Sequence, residues 1–235
     1  MKHFVSTVLL ASNLGLATAA QAQVQVSMGP RVGLNLSTVH QVDAPSYQYR
    51  PGFEAGLQGN MQLGHFALQP SVLYSQRRYA LHLVSSTSAT DPFAFEADGT
   101  YRRGYLSFPL HLVYTQRAGG QGWQAFAGPY LNLLVDGCYT THTQLLHSPT
   151  VYDREGAIVA GYATTERSDN LYTKRVDAGA QAGLGYRRCG WLMQATYSLG
   201  LRNVAPAYVD TGTTDFSSYN RSLQFSLTRL FSLQR

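Results

Sequence analysis

Five ionisable side chains occupy polar positions in segments that otherwise alternate between apolar and polar residues, and they are the residues best suited to chemistry. They are Arg31, Glu54, His111, Arg175 and Asp177. Such groups can relay a proton, guide an ion or hold one another as buried ion pairs. Since a buried charge is costly unless it is paired, Glu54 and Asp177 are expected to contact arginines. We expect a plug of paired charges, and the alternative is a narrow proton or ion path.

Catalytic and metal-binding patterns are weak in this chain. Four histidines and three aspartates fall in polar connecting segments: His40, His82, His142, His147, Asp43, Asp91 and Asp153. They provide residue types of a nucleophilic triad, but the chain has no G-x-S-x-G turn for a nucleophile. His142 and His147 lie close in sequence without a cysteine or carboxylate at zinc-like spacing. The sequence therefore predicts no enzyme, no metal site and no cofactor.

Tyrosines of the connecting segments form the second candidate set. They could build a binding surface for a protein partner or a glycan, because an aromatic ring offers both apolar area and a polar tip. The candidates are Tyr47, Tyr49, Tyr139, Tyr152, Tyr162 and Tyr208.

The segment from Lys174 to Leu201 indicates the elements that must position these residues. Every second residue from Val176 to Tyr186 is apolar, and the alternation resumes at Trp191 after a short basic turn. A period of two over both arms predicts a β-hairpin. Its polar face carries Gly, Ser, Gln and Asn, which is typical of the packed interior of a narrow barrel. The apolar face must then point outward, and lipid makes that arrangement stable.

The same alternation recurs along the mature chain and predicts eight strands. Their expected bounds are 27–37, 52–63, 66–76, 104–115, 123–135, 174–186, 191–201 and 219–231. The fifth is apolar on both faces, so its orientation stays open, and Tyr79, Leu81 and Leu83 indicate that strands continue beyond the membrane. The connections alternate between long and short. We therefore predict an all-β, eight-stranded antiparallel up-and-down transmembrane barrel with short periplasmic turns and long extracellular loops.

Composition and charge agree with a membrane barrel. Only 13% of the 235 residues are charged, about half the share usual in soluble domains. The net charge of +5 comes from arginines near strand ends, which suits contact with anionic headgroups better than nucleic-acid binding. Cys138 and Cys189 are expected at opposite ends of neighbouring strands, too far apart for a disulfide, so two free thiols are predicted.

The first 22 residues resemble an export signal. Lys2 and His3 precede an apolar run, and Ala20-Gln21-Ala22 provides a cleavage site. We expect a signal peptide over residues 1–22, a barrel domain over 23–235, and a location in the cell outer membrane.

Short motifs, in order along the chain, resemble the PorT-like outer membrane protein β-barrel family of Bacteroidetes-type bacteria. They are Arg31-Val32-Gly33-Leu34-Asn35, Pro51-Gly52-Phe53, Leu68-Gln69-Pro70, Tyr105-Leu106-Ser107-Phe108-Pro109-Leu110, Ala127-Gly128-Pro129-Tyr130 and Gly183-Leu184-Gly185-Tyr186. The resemblance implies a small barrel of unassigned role, and the subgroup that gives the family its name is linked to protein secretion and gliding.

Three functions remain open from the sequence. The first is a non-enzymatic outer-membrane barrel that binds an extracellular ligand through its loops or stabilises the envelope. The second is a component of an outer-membrane secretion or transport assembly, with an envelope protein as partner. The third is a soluble lipocalin-like carrier, which would place the apolar side chains inside the barrel and the polar ones in water.

Overall fold

The computed structural model describes residues 24–41, 48–85, 94–149, 151–162, 169–207 and 217–233. None of these residues forms a helix long and apolar enough to cross a membrane. The strands are β1 (Gln25–Gln41), β2 (Gln48–Leu63), β3 (Phe66–Ser85), β4 (Phe95–Thr115), β5 (Gly122–Leu145), β6 (Val151–Ala160), β7 (Leu171–Thr173), β8 (Val176–Arg188), β9 (Trp191–Gly200), β10 (Ser218–Arg229) and β11 (Phe231–Ser232).

Eight of the strands form a closed antiparallel ring. Its order is β1, β2, β3, β4, β5, β8, β9 and β10, and β10 pairs with β1 to close it. The other three strands are additions to this ring: β6 pairs with β5, the short β7 pairs with β6 in parallel, and β11 pairs with β1. The predicted eight-stranded barrel is confirmed.

Tight connections lie at one end of the ring. Residues 64–65 join β2 to β3, and residues 189–190 join β8 to β9. Gly64 and Gly190 have φ values of +58° and +77°, which glycine adopts without the clash of a Cβ atom. The opposite end carries the longer connections. This alternation matches the pattern of bacterial outer-membrane barrels, in which the short turns are periplasmic.

The outer wall of the ring is apolar and its interior is polar. Leu184 and Met193 are 60% and 55% exposed on the outside, whereas Gln181 and Gln194 are each 4% exposed on the inside. The interior residues with no exposed surface include Gln58, Gln69, His111, Asn132, Asp177, Ser198, Ser222 and Thr228. This distribution is the inverse of a soluble carrier, so the lipocalin-like alternative is wrong.

The fifth ring strand, left open by the sequence, turns Trp123 outward at 61% exposure and Phe126 inward at 4%. Across from it, β8 places glycines beside inward rings. Phe126 pairs with Gly183, and a Cβ added to Gly183 would lie 2.6 Å from Cζ of Phe126. Tyr130 pairs with Gly179 in the same way, and a Cβ added to Gly179 would lie 2.8 Å from Cε1 of Tyr130. A Cβ at either glycine would lie still closer, at 2.1 Å, to a backbone oxygen of β9, so these glycines make room both for the neighbouring strand and for the aromatic rings.

Three strands are much longer than predicted. β3, β4 and β5 contain 20, 21 and 24 residues, although about 9–11 tilted residues cross the hydrocarbon core. The segments 77–85, 95–103 and 136–145, which were predicted as mainly loop, continue the strands beyond the ring and pair with one another and with β6. We call these segments, together with β6, the projecting sheet.

The C-terminal strand is also interrupted where a continuous strand was expected. β10 ends at Arg229, and the backbone N–H of Leu230 donates to Gly190 O at 2.7 Å. Arg229 turns outward and its guanidinium lies over Trp191 and Phe231, at 5.1 and 5.6 Å from the ring centroids. A charged residue at an outward position is thereby accommodated beside aromatic rings at the short-turn end of the barrel.

Candidate functional site

A buried ion pair between β1 and β2 lies at the centre of the interior. Arg31 and Glu54 are 1% and 2% exposed, and Nη2 and Nε of Arg31 both donate to Glu54 Oε1, at 2.7 and 3.0 Å. The remaining Nη1 donates to Gln58 and Gln194, each at 3.4 Å. The predicted contact of Glu54 with an arginine is confirmed.

Amide side chains from several strands pack around this pair. Gln58 Nε2 donates to Gln69 Oε1 at 3.0 Å, and Gln194 Nε2 donates to the same oxygen at 3.1 Å. Gln58 Oε1 accepts from Thr228 at 2.9 Å, while Gln69 Nε2 donates to Asn60 at 2.9 Å. Strands from opposite sides of the ring are therefore tied together across the axis. We call this network, with Arg31 and Glu54, the lumenal plug.

His111 belongs to the same interior but has no carboxylate partner there. Its Nε2 lies 2.7 Å from Gln181 Oε1, and its ring stacks on Phe126 at a centroid distance of 4.7 Å. Gln181 in turn donates to Ser198 at 2.7 Å. Among the described residues its side-chain contacts are thus an amide and a phenyl ring, and neither is an acid that could orient it as a catalytic base.

A second buried ion pair lies closer to the long-loop end. Arg77 Nη1 lies 3.2 Å from Asp177 Oδ2, and both residues are buried. Asn132 donates to the same oxygen at 2.9 Å, and the Arg77 guanidinium lies over the rings of Tyr105 and Tyr130 at 5.5 and 5.6 Å. The contact of Asp177 with an arginine is confirmed, but the arginine is one that the sequence analysis did not select.

The placement of Arg175 in the lumen was wrong. Arg175 is exposed and precedes β8, which begins at Val176. The alternation of a strand therefore does not govern its side chain. Arg77 could have been identified, because it continues the inward set of odd-numbered residues on β3 that includes Gln69 and Ser75. The sequence analysis does not select Arg77, because it predicts that this strand ends at residue 76.

Arg103 adds a further positive charge beside this second pair. It is the register partner of Arg77, and its guanidinium lies 5.2 Å from the centroid of the Tyr79 ring. Nε and Nη1 of Arg103, like Nε and Nη2 of Arg77, have no hydrogen-bond partner in the part of the chain that the structure describes. Asp177 pairs with Arg77, and Arg103 places a second guanidinium on the neighbouring strand at the long-loop end of the interior.

The tyrosine candidates separate into exposed and buried residues. Tyr49, Tyr152 and Tyr162 are 53%, 57% and 64% exposed. Tyr139 is not available to a ligand, because it is 4% exposed and donates to the carbonyl of Asp169 at 2.8 Å. Two further candidates, like the expected signal peptide, lie outside the described residues: Tyr47 and Tyr208.

The histidines outside the barrel differ in their hydrogen-bond partners and in the elements on which they lie. His82 Nδ1 lies 2.9 Å from Asp98 Oδ1; this hydrogen bond, followed by the negative charges of Asp98 and Glu96, raises the pKa of His82. His142 and His147, which the sequence placed together on a loop, lie on different elements: His142 is on β5, while His147 is exposed in the turn that follows.

The two cysteines lie at opposite ends of the molecule. Cys138 is in the projecting sheet and Cys189 is in the turn between β8 and β9. Both thiols are free and exposed, which confirms the prediction.

Known proteins were compared with this chain as a whole. The outer membrane protein beta-barrel domain family matches residues 20–205. No curated protein matches the sequence. Among solved structures, Ail, the attachment invasion locus protein of Yersinia pestis, here in complex with the heparin analogue sucrose octasulfate, has 11% identity and a TM-score of 0.40, with 88% of this chain and 99% of that chain covered.

Two neisserial structures are also similar. Neisserial surface protein A has 12% identity and a TM-score of 0.37, with 88% of this chain and 97% of that chain covered. The translocator domain of the autotransporter NalP from Neisseria meningitidis has 10% identity and a TM-score of 0.20, with 95% and 96% covered. The ring of eight strands and its apolar outer wall agree with the family model, which matches most of the chain. The chain therefore belongs to the outer membrane protein beta-barrel domain family.

Proposed function

We propose that this protein is a non-enzymatic, non-conducting outer-membrane barrel that binds an extracellular ligand or envelope partner through the structure beyond the bilayer. The observation that carries the proposal is the lumenal plug. Interior side chains of opposite strands bond directly to each other, as Gln194 of β9 does to Gln69 of β3 at 3.1 Å. An eight-stranded barrel has space for side chains and little else, so this network leaves no room for a permeant solute.

The projecting sheet supports a binding role. β5 continues for about as many residues beyond the ring as inside it, and β6 is added only there. Exposed apolar residues on or beside this sheet are Val84 at 53%, Leu146 at 44%, Val151 at 44% and Tyr152 at 57%. Side chains of this kind outside the membrane are typical of an interaction surface.

A protein partner is favoured by the same surface. Tyr152 is 57% exposed on the edge strand β6 of the projecting sheet, and tyrosine is one of the residue types enriched among the hot spots of protein interfaces. The PorT-like resemblance supports the proposal that this partner belongs to an outer-membrane secretion or transport assembly. A glycan ligand is the other outcome that the experiments below distinguish.

Family membership supports a location in the outer membrane, and we further propose that export removes residues 1–22. The A-x-A site at Ala20-Gln21-Ala22 supports cleavage at that point. Amino-terminal sequencing of protein from purified outer membranes is expected to begin at Gln23. An intact leader in the mature protein would contradict this proposal.

Single-channel recording in planar bilayers tests the closed lumen. The purified wild-type protein is expected to give no steady open current in salt solution. A porin reconstituted in the same way is the positive control for insertion. A stable conductance from the wild-type protein would refute the plug.

Photo-crosslinking in intact cells tests the binding surface. A photoreactive amino acid at position 152 is expected to capture an extracellular or envelope partner, which mass spectrometry identifies. The matched control is position 123, since Trp123 is 61% exposed on the wall that contacts lipid. Equal capture at both positions, or capture at neither, would contradict a specific surface on the projecting sheet.

A further inference from the structure

Histidine and aspartate alternate in a row across the outer face of the projecting sheet. His82 on β3 is the register partner of Asp98 on β4, Asp98 is the partner of His142 on β5, and His142 is the partner of Asp153 on β6. Residues directly opposite in antiparallel strands share a face, with Cβ atoms about 4.5–5.5 Å apart. Four strands therefore bring two imidazoles and two carboxylates into one line, which we call the His-Asp row.

One end of the His-Asp row already forms a compact set of potential ligands. His82 Nδ1 lies 2.9 Å from Asp98 Oδ1, and His82 Nε2 lies 3.8 Å from Glu96 Oε1. One ligand atom from each of the three residues lies within 4.8 Å of the other two. Glu96 is two residues from Asp98 on β4, so both carboxylates point to the same face.

Negative charge is concentrated around the row, and the arginines on the same face of β3 and β4, Arg78 and Arg102, lie four residues away along the strands. Glu96, Asp98, Asp153 and Glu155 share this face, and they are four of the 13 acidic residues in a chain of net charge +5. On each of these four strands, the residues of the same face that lie two positions before and after the row include no lysine or arginine. Like charges on neighbouring strand positions repel each other, and a bound cation would relieve that repulsion.

We propose that His82, Glu96 and Asp98 bind a divalent first-row transition metal of the Zn²⁺ type, with His142 as the fourth ligand. Imidazole nitrogen with carboxylate oxygen suits zinc better than the hard cations Ca²⁺ and Mg²⁺. Zinc takes four ligands at about 2.0–2.2 Å in tetrahedral geometry, so the ligand atoms must approach to about 3.4 Å of one another. The side chains of His82, Glu96 and Asp98 are 45%, 41% and 62% exposed, so they can rotate into place.

The remaining member of the row has a supporting role. Asp153 Oδ1 lies 2.5 Å from His142 Nδ1, which leaves Nε2 of that ring to face the metal. A carboxylate on the distal nitrogen orients a ligating histidine and raises its basicity. Asp153 is thus a positioning residue in this site.

This proposal differs from the prediction made from the sequence, which was that the chain has no metal site. Spacing rules detect ligands that lie close along one segment, but the residues of this site come from β3, β4 and β5 and meet only through strand register. His147, the neighbour of His142 in the sequence, lies in a turn and is outside the site.

Isothermal titration calorimetry with ZnCl₂ tests the proposal on the full-length protein in detergent micelles, without an affinity tag. The wild type is expected to bind one zinc ion, and H82A and D98N are expected to lower the affinity at least tenfold. H147A is the matched control, because it removes an exposed histidine outside the row and is expected to bind like the wild type. Heat-modifiable mobility on gels verifies that each variant is folded.

Co²⁺ substitution provides a second measurement that needs no variant. The wild-type protein loaded with Co²⁺ is expected to show the intense visible absorption of a tetrahedral site. Absence of saturable zinc binding, or an equal loss of affinity in H147A, would overturn the proposal. The bilayer-conductance and photo-crosslinking experiments are repeated in EDTA, which removes bound metal. Their results do not depend on the metal site, so failure to bind zinc can be distinguished from failure of the proposed function.

Discussion

Replacing Glu54 by glutamine is expected to destabilise the barrel strongly, because it removes the only carboxylate that contacts Arg31 among the described residues. Arg31 is 1% exposed and directs two of its N–H groups to Glu54 Oε1, at 2.7 and 3.0 Å, while its other contacts are amides at 3.4 Å. Breaking a buried ion pair by removing one partner costs about 3–5 kcal/mol. Since glutamine keeps one acceptor oxygen, we expect the lower end of that range, about 3 kcal/mol.

The measurement is urea-dependent unfolding in phospholipid vesicles, followed by tryptophan fluorescence. Both tryptophans, Trp123 and Trp191, are exposed on the outer wall and report contact with lipid. A loss of about 3 kcal/mol lowers the folding equilibrium constant roughly 100-fold, because about 1.4 kcal/mol corresponds to a factor of ten. The control is E155Q, which changes an exposed carboxylate and is expected to shift stability by less than about 0.5 kcal/mol.

A double variant separates charge from packing. R31Q/E54Q removes both charges, and it is expected to recover most of the stability lost in E54Q, since neutral replacements of a buried ion pair are often tolerated. If E54Q costs less than about 1 kcal/mol, or if the double variant is no more stable than the single one, then Arg31 is not held by its charge partner and the reasoning on the lumenal plug is refuted.

Three further predictions test the wall, the interior and the topology. Leu184→Arg on the lipid-facing wall is expected to cost about 2–4 kcal/mol in the same vesicle assay, and an unchanged stability would contradict lipid contact at that position. Gly183→Ala is expected to cost about 1–3 kcal/mol because its Cβ would lie 2.1 Å from the backbone oxygen of Ala195 and 2.6 Å from the Phe126 ring, whereas the nearest atom to a Cβ at Gly59 is a Pro70 side-chain carbon at 3.3 Å, so Gly59→Ala should cost less; the reverse order would refute the packing argument. A membrane-impermeant maleimide is expected to label Cys138 in intact cells and Cys189 only after the outer membrane is permeabilised, and labelling of Cys189 alone in intact cells would invert the orientation.

Most of the ring was predictable from the sequence because lipid and lumen impose opposite chemistries on alternate residues. Leu184 and Gln181 differ in parity, and each faces the side that its polarity indicates. The rule fails where a strand ends in a bend, since the side chain of the bend residue can leave the alternation even when its carbonyl still bonds to the neighbouring strand, as Arg175 O does to Leu134 N–H at 2.8 Å. Arg175 is such a residue, next to the start of β8, and its assignment to the lumen was wrong for that reason.

The continuation of β3 beyond the membrane was predictable from the alternation of Tyr79, Leu81 and Leu83, but the strands that pair with it were not, because both of their faces contain many polar residues. Asp98-Gly99 reads as a loop signal in the sequence, yet it lies within β4 and pairs with β3 and β5. Where neither face is apolar, apolar and polar residues do not alternate clearly in the sequence. Such strands are then identified only by the strands with which they pair. The His-Asp row depends on that pairing, so its members could not be grouped from their positions along the chain.

β5 belongs to two sheets, and this has a mechanical consequence. Its residues from Gly122 to Leu133 pair with β8 in the ring, and those from Cys138 to Gln144 pair with β6 in the projecting sheet. A force applied to a molecule bound to the projecting sheet is therefore transmitted along the axis of β5 into the wall of the barrel. Such a load shears the ladder bonds of that strand together instead of peeling them one by one, so the pairing of β5 resists a pull along its own axis.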